Sequence, residues 1–196
     1  KITINTGDRM GTVKATYYMP KSILTDQVTC SPAIIPFETF VYGKYDMAMK
    51  FIVNANAFHC GKVIVSVKFD SYQADDVNKG YQAALSRKHI ILDLNSNNEA
   101  TIDLPFRYHR AFIRNQAHTT SSVGVRPGKY CTVQVMVLSP LKTGNGGSTS
   151  VDLRPMYLFR KAKFAGMSYR VPNIQGMDDL IRDALPLPAI KELIIG

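Results

Sequence analysis

Cysteine is scarce in this chain of 196 residues, and long apolar runs are missing from it. The three cysteines, Cys30, Cys60 and Cys131, are an odd number without paired spacing, which argues against a disulfide framework and fits a reducing compartment. The sequence has no Asn-x-Ser/Thr glycosylation site, which agrees with that compartment. No stretch approaches the roughly 18 apolar residues of a membrane span, so we expect no stable membrane insertion.

Acidic residues are also few. Lys and Arg outnumber Asp and Glu by 24 to 15, a formal net charge of +9, which favours a polyanionic partner such as nucleic acid. A solubility bias explains the surplus equally well, because the basic residues are scattered. From Tyr157 to Arg170 they are interleaved with aromatic residues, as in nucleic-acid binders, but a strand with one exposed face has the same composition. The candidate nucleic-acid contacts are Lys1, Arg9, Arg160, Lys161 and Lys163.

Alternation with a period of two dominates the rest of the sequence. In residues 45–57 the odd positions are apolar, as a strand packed on one side requires. Residues 61–70, 129–139 and 151–159 repeat the pattern, and Pro155 in the last of them predicts an edge or a bulge because it lacks a ladder donor. Shorter candidates bring the total to about seven or eight strands. We therefore predict an all-β sandwich or barrel with few short helices, one of which begins near Pro36.

The C-terminal segment follows a different pattern. Apolar residues recur at helical spacing from Met177 to Leu185, and Asp178 and Asp179 would lie at the positive end of the helix dipole. Prolines then interrupt the helix, and a second apolar turn follows them. We therefore predict a body over residues 1–170, with a short N-terminal arm, and an amphipathic C-terminal tail over residues 171–196.

The run His59-Cys60-Gly61 has the residue types of a catalytic pair or of two metal ligands. Neighbours in an extended chain point to opposite faces, no third group orients the pair, and no zinc-type spacing occurs. The alternative is a turn in which Gly61 supplies a positive φ. Residues 144–147 (GNGG) lack the Gly-Lys-Ser/Thr ending of a phosphate loop and are expected to be a hairpin loop. We expect Cys131 to be buried as a small hydrophobe, and we predict no catalytic residue, metal or cofactor.

Several segments together resemble a known family. The most specific is a short aromatic helix entering a strand, followed by NANAFHCG leading into the next strand; LPF after a strand and VQVMVLSPL near the end add to it. The series spans about residues 11–170. It is similar to the major capsid proteins of picorna-like viruses, most closely those of insect dicistroviruses and iflaviruses.

This resemblance implies an eight-stranded antiparallel jelly-roll sandwich. It also implies a virion protein cut from a polyprotein, made in the host cytoplasm, that assembles with related jelly rolls around a positive-strand RNA genome and contacts a host receptor. In this family one capsid protein carries an Asp-Asp-Phe motif linked to maturation cleavage. Here Asp178 and Asp179 are followed by Leu180, so a helix start explains the two aspartates equally well.

The apolar residues of the tail have two interpretations within this family. They form an arm that packs on a neighbouring subunit, or a short segment that disturbs membranes on release. The candidate contact residues are Leu180, Ile181, Leu185, Ile190, Leu193 and Ile194. The main hypothesis for the whole chain is a self-assembling capsid subunit. The alternative is a β-sandwich binding module that recognises carbohydrate or RNA through its loops, and an enzyme comes third.

Overall fold

A computed structural model describes residues 1–20, 22, 35–56, 58–69, 80–95, 99–115, 129–144 and 147–167. The predicted tail, including Asp178 and Asp179, lies outside these residues, as does Cys30. The described strands are β1 (Ile2–Asn5), β2 (Val13–Met19), β3 (Phe40–Asn54), β4 (His59–Phe69), β5 (Lys88–Asp93), β6 (Glu99–Leu104), β7 (Ile113–Arg114), β8 (Cys131–Thr143) and β9 (Ser150–Met167). The described helices are α1 (Ile35–Thr39) and α2 (Gly80–Leu85).

The strands form two antiparallel sheets. The first has the order β1-β9-β3-β6, with the two-residue β7 pairing with β3, and the second has the order β2-β8-β4-β5. The chain passes from one sheet to the other at six of the seven connections between consecutive strands other than β7. Two four-stranded sheets interleaved in this way are an eight-stranded jelly roll. The predicted fold class is therefore confirmed.

The core lies between the inner faces of the two sheets, where the alternation placed it. Tyr45, Met47, Met49 and Phe51 on β3 are at most 1% exposed. The facing sheet contributes alternate residues of β4 and β8, including Val63, Val65, Val67, Val133, Val135 and Val137. Cys131 is also buried, as expected, and burial raises the pKa of its thiol.

Pro155 lies where one side of β9 loses its partner. The pairing of β1 with β9 ends at Ile2 and Leu153, whereas β3 stays paired with β9 as far as Met167. Beyond Leu153 the side of β9 away from β3 has no strand beside it in the described part of the chain. The edge predicted from Pro155 is therefore confirmed, within a strand that is otherwise internal to its sheet.

Of two local predictions, one is confirmed and one is wrong. The predicted short helix near Pro36 is present and ends at Thr39, because Phe40 already pairs with Met167 in the sheet. The GNGG segment is not a hairpin loop, since β8 and β9 lie in different sheets and the segment between them crosses from one sheet to the other. Local sequence showed the turn but not which sheet each flanking strand would join.

We predict that Gly43→Ala destabilises the fold. A Cβ at Gly43 would lie 2.6 Å from Asn115 Oδ1 and 2.8 Å from Tyr45 Cε1. Asn115 cannot move away easily, because its Nδ2 donates to the Phe40 carbonyl at 3.1 Å and its backbone N–H to the Val41 carbonyl at 2.9 Å. Overpacking of this kind costs about 1–3 kcal/mol, measured as the free energy of unfolding in urea.

The matched control is Gly7→Ala, where a Cβ would meet no atom within 4 Å. We expect this variant to stay within about 0.5 kcal/mol of the wild type. Equal stability of the two variants would contradict the close packing described at Gly43.

Candidate functional site

His59 is a structural residue at the start of β4. Its side chain is buried, its Nδ1 accepts a hydrogen bond from the Asn56 N–H at 3.1 Å, and its Nε2 lies 2.9 Å from the Ser148 carbonyl oxygen. Because Nδ1 accepts a hydrogen bond, the ring hydrogen lies on Nε2. The Nε2–H group therefore donates a hydrogen bond to the Ser148 carbonyl oxygen. Both ring nitrogens are thus occupied in joining the β3–β4 turn to the β8–β9 segment.

Cys60 follows His59 but takes no part in this arrangement. It is exposed, whereas His59 is 3% exposed, so the two side chains diverge as expected for neighbours in a strand. The catalytic and metal-ligand interpretations of the pair are therefore not supported. In the described part of the chain, no three side chains of His, Cys, Asp or Glu come together in a metal-binding group.

The role predicted for Gly61 was wrong. Its φ is not positive; it lies within β4, beside a register shift between Cys60 and Lys62. A Cβ there would be 3.2 Å from both Leu141 Cα and Leu94 Cδ1. A side chain at this position would require these neighbours to shift, so Gly61 favours tight packing instead of turning the chain.

The turn itself lies before His59, and we call residues 54–56 and 58 the Phe58 turn. The Asn56 side-chain Oδ1 accepts the Phe58 N–H at 3.1 Å, and the Asn56 carbonyl accepts the His59 N–H at 3.1 Å. The Phe58 carbonyl accepts the Gly144 N–H at 2.9 Å. The Phe58 ring is nevertheless 60% exposed. The motif NANAFHCG thus forms a hydrogen-bonded turn that holds an aromatic ring in solvent.

The predicted basic residues fall into two groups. Lys1 forms an ion pair with Asp152 at 2.8 Å, and Arg9 is exposed in the turn between β1 and β2. Lys1 adjoins Ile2, which pairs with Leu153 of β9. Arg160 is seven residues further along β9 than Leu153, which is about 23 Å at roughly 3.3 Å per residue. The structure therefore does not bring Lys1 and Arg9 together with the β9 residues.

The turn that carries Arg9 is fixed by an ion pair. Lys14 Nζ lies 2.8 Å from Asp8 Oδ2, and the Asn5 N–H donates to the same oxygen at 2.7 Å. Partial burial acts to raise the pKa of the Asp8 carboxyl, but the hydrogen bonds and the Lys14 charge outweigh it and hold that pKa below its ordinary value. Asp8 therefore remains charged and keeps the turn closed.

The second group forms a compact surface that we call the basic edge: Arg160, Lys161 and Lys163 of β9, with Lys44 of β3. Lys44 and Lys163 are cross-strand partners, and all four residues are exposed. Like charges placed directly opposite destabilise a sheet. Arg160 is partly neutralised by Asp103, 3.1 Å away.

A β-bulge shapes the basic edge. Lys44 pairs with Lys163 and Asp46 with Arg160, so the two intervening residues of β9 oppose a single residue of β3. Lys161 is one of these two, with φ 48° in the left-handed region that L-residues rarely adopt.

Sequence reasoning missed Lys44. It stands more than 110 positions before the other three residues, and no local pattern joins it to them. It is exposed, next to the buried Tyr45 of the same strand. Only the register of β3 against β9 brings it to Lys163.

No helix in the described part of the chain is long and apolar enough to cross a membrane. The remaining candidates, Asp178, Asp179, Leu180, Ile181, Leu185, Ile190, Leu193 and Ile194, lie outside the described residues.

Known capsid structures resemble this chain closely. A chain of Sacbrood virus of honeybee in its expansion state II is 56% identical, with a TM-score of 0.80 over 87% of this chain and 96% of that chain. A chain from a native-like genome-containing particle of deformed wing virus in acidic pH has the same fold at lower identity. It is 19% identical, with a TM-score of 0.71 over 85% of this chain and 75% of that chain. The Triatoma virus empty capsid is also similar (15%, TM-score 0.70, 87% and 89%).

Sequence comparison gives a consistent result. The genome polyprotein of deformed wing virus is 18% identical over 158 residues, which are 76% of this chain but 5% of that polyprotein. The chain therefore matches one small part of that relative. No protein-family model matches it.

We predict that His59→Leu destabilises the chain by about 1–3 kcal/mol, because it removes both hydrogen bonds through which the buried ring joins Asn56 to Ser148. The measurement is the free energy of unfolding in urea. Cys60→Ser is the matched control at the adjacent, exposed position and should change stability by less than about 0.5 kcal/mol. If His59→Leu were as stable as this control, the ring would not hold the two segments together.

Proposed function

The chain belongs to the capsid-protein family of insect picorna-like viruses, and from this premise we propose how its basic edge and its C-terminal tail serve the virion. As a member of this family it is a structural subunit of an icosahedral capsid and not an enzyme, and its partners are other capsid subunits. The observation that carries this function is the match to the Sacbrood virus chain, which spans most of both proteins. The binding-module alternative is not favoured.

We propose that the basic edge contacts the RNA genome. Three lysines and an arginine share one end of the first sheet, and the cross-strand pair Lys44 and Lys163 places two positive charges opposite each other. A phosphate group between them would replace this repulsion by attraction to both. Lys161 is exposed in the adjoining bulge and adds a further positive charge for the same backbone. Lys1, beside Asp152, and Arg9, exposed in the turn between β1 and β2, are proposed as separate further contacts.

The test of the basic edge is the variant Lys161→Ala/Lys163→Ala. Each phosphate contact to single-stranded RNA contributes about 0.7 to the slope of log affinity against log salt. We expect the double variant to bind RNA more weakly and to lower that slope by about 1.4. The measurement is a titration of fluorescent single-stranded RNA with the purified chain at several salt concentrations.

Lys62→Ala/Lys142→Ala is the control for this experiment. Both residues are exposed on β4 and β8 in the other sheet, so this variant loses the same net charge elsewhere. Its RNA affinity should stay close to that of the wild type. If both double variants lose affinity equally, binding depends on net charge alone and the basic edge is not a specific contact.

We propose that the tail, residues 171–196, is an arm that packs on a neighbouring subunit. Its apolar residues, Leu180, Ile181, Leu185, Ile190, Leu193 and Ile194, recur at helical spacing outside the strand pattern. The jelly roll described here is complete without them, so they add buried area beyond what the compact bodies offer. Asp178 and Asp179 are proposed to serve maturation cleavage of a neighbouring precursor.

Deleting residues 176–196 is expected to leave the unfolding midpoint of the free chain unchanged and to lower the yield of particles. The measurement is sedimentation of particles made with the related subunits. Asp178→Asn/Asp179→Asn separates the two roles, since it should permit assembly but slow precursor cleavage. Normal assembly of the truncated chain would contradict the arm. Leakage of lipid vesicles exposed to a peptide of residues 176–196 would then support the membrane-disturbing alternative.

We further propose that the chain is made in the host cytoplasm and that its surface loops meet a host receptor. The free thiols of Cys60 and Cys131 support a reducing site of synthesis. Loops at the ends of a sandwich carry the accessible surface on which receptors act.

A further inference from the structure

We propose that the Phe58 turn, together with residues 144 and 147–149 beside it, is a preorganised contact for a neighbouring capsid subunit. The proposal rests on the capsid role and adds to it the surface through which one subunit meets the next. Three features carry the argument: an exposed aromatic ring, a rigid support and an absence of charge at the centre of the surface.

The exposed ring is the first feature. Phe58 is 60% exposed, although aromatic rings are among the groups that gain most from leaving water. It stands over two glycines: a Cβ on Gly144 would be 3.6 Å from Phe58 Cδ1, and one on Gly147 would be 3.4 Å from Phe58 Cβ. The second segment therefore lies beside the Phe58 side chain. One edge of the ring is thus supported, and the remainder faces outward.

The rigidity of the support is the second feature. Asn56 accepts hydrogen bonds from the Phe58 and His59 N–H groups, and His59 ties Asn56 to Ser148 on the other segment. The Gly144 N–H closes the arrangement by donating to the Phe58 carbonyl at 2.9 Å. Ordering a loop lowers binding affinity when it must happen on association. Here most of the ordering is already complete in the free subunit.

The third feature is charge, and it selects the partner. Residues 54–58 (NANAF) and 143–151 (TGNGGSTSV) contain no charged residue, although the chain has a formal net charge of +9. Charged residues of both signs surround this uncharged centre: Lys142 and Asp152 flank the second segment, and a hydrogen bond from the Thr6 N–H to the Thr149 carbonyl brings the turn with Asp8 and Arg9 beside it. Depletion of charge around an aromatic centre is the composition of a protein–protein contact.

Phe58→Trp tests this contact directly, because the chain has no tryptophan of its own. The variant keeps an aromatic ring at position 58, and its fluorescence reports how exposed that position is. Signal from the related subunits is subtracted by using particles made with the wild-type chain. We expect the rate of iodide quenching to fall severalfold, and the emission to shift to the blue, when free subunits assemble into particles.

Quenching that is the same in free subunits and in particles would overturn the proposal, since position 58 would then remain on the open surface of the shell. That result would favour a receptor or another external partner. The wild-type particles used for subtraction establish the capsid role independently, so failure of this contact is distinguishable from failure of the function.

Phe58→Ser tests whether the ring matters for assembly. We expect the particle yield to fall about tenfold while the unfolding midpoint of the free chain is unchanged, because the ring is mostly exposed before assembly. Leu158→Ser is the matched control: Leu158 is 52% exposed and lies on β9, away from the Phe58 turn. A yield at the wild-type level in Phe58→Ser, or an equal loss in both variants, would overturn the proposal.

Discussion

The antiparallel pairing of β3 with β9 is the constraint on which the other features depend. It runs from Phe40 opposite Met167 to Asn54 opposite Asp152 and joins residues 98 to 127 positions apart. A slip of one residue would turn every side chain of a strand to the opposite face. Tyr45, Met47 and Phe51 would then leave the core. The same register brings Lys44 to Lys163 and places the bulge at Lys161, so the core and the basic edge are fixed by one set of backbone hydrogen bonds.

The sequence predicted the faces of the strands but not their partners. Alternation in β3, β4 and β8 identified the inward residues correctly because burial on one side is a local requirement of each strand. Pairing between strands is not a local property. Lys44 joins the basic edge only because β3 pairs with β9, and no pattern within either strand predicts that pairing. The resemblance to capsid proteins supplied the jelly-roll topology that the periodicity left open between a sandwich and a barrel.

The roles of His59 and Gly61 in NANAFHCG also depend on residues that are distant in the sequence. The geometric objection to a His59-Cys60 pair was correct, since the two side chains diverge. The role of Gly61 was misjudged because its reason lies in Leu94 and Leu141, which approach it from other elements. The partner of His59, Ser148, is 89 positions away and could not be found from spacing.

The distribution of charge separates two tasks that a shell protein must combine. A surplus of positive charge suits contact with RNA, but the same surplus on every surface would oppose the association of like-charged subunits. In this chain the lysines of the basic edge and the neutral residues around Phe58 occupy separate parts of the sandwich. His59 holds the neutral part in shape with both ring nitrogens, so a residue that looks catalytic in the sequence instead keeps an uncharged contact ordered before any partner arrives.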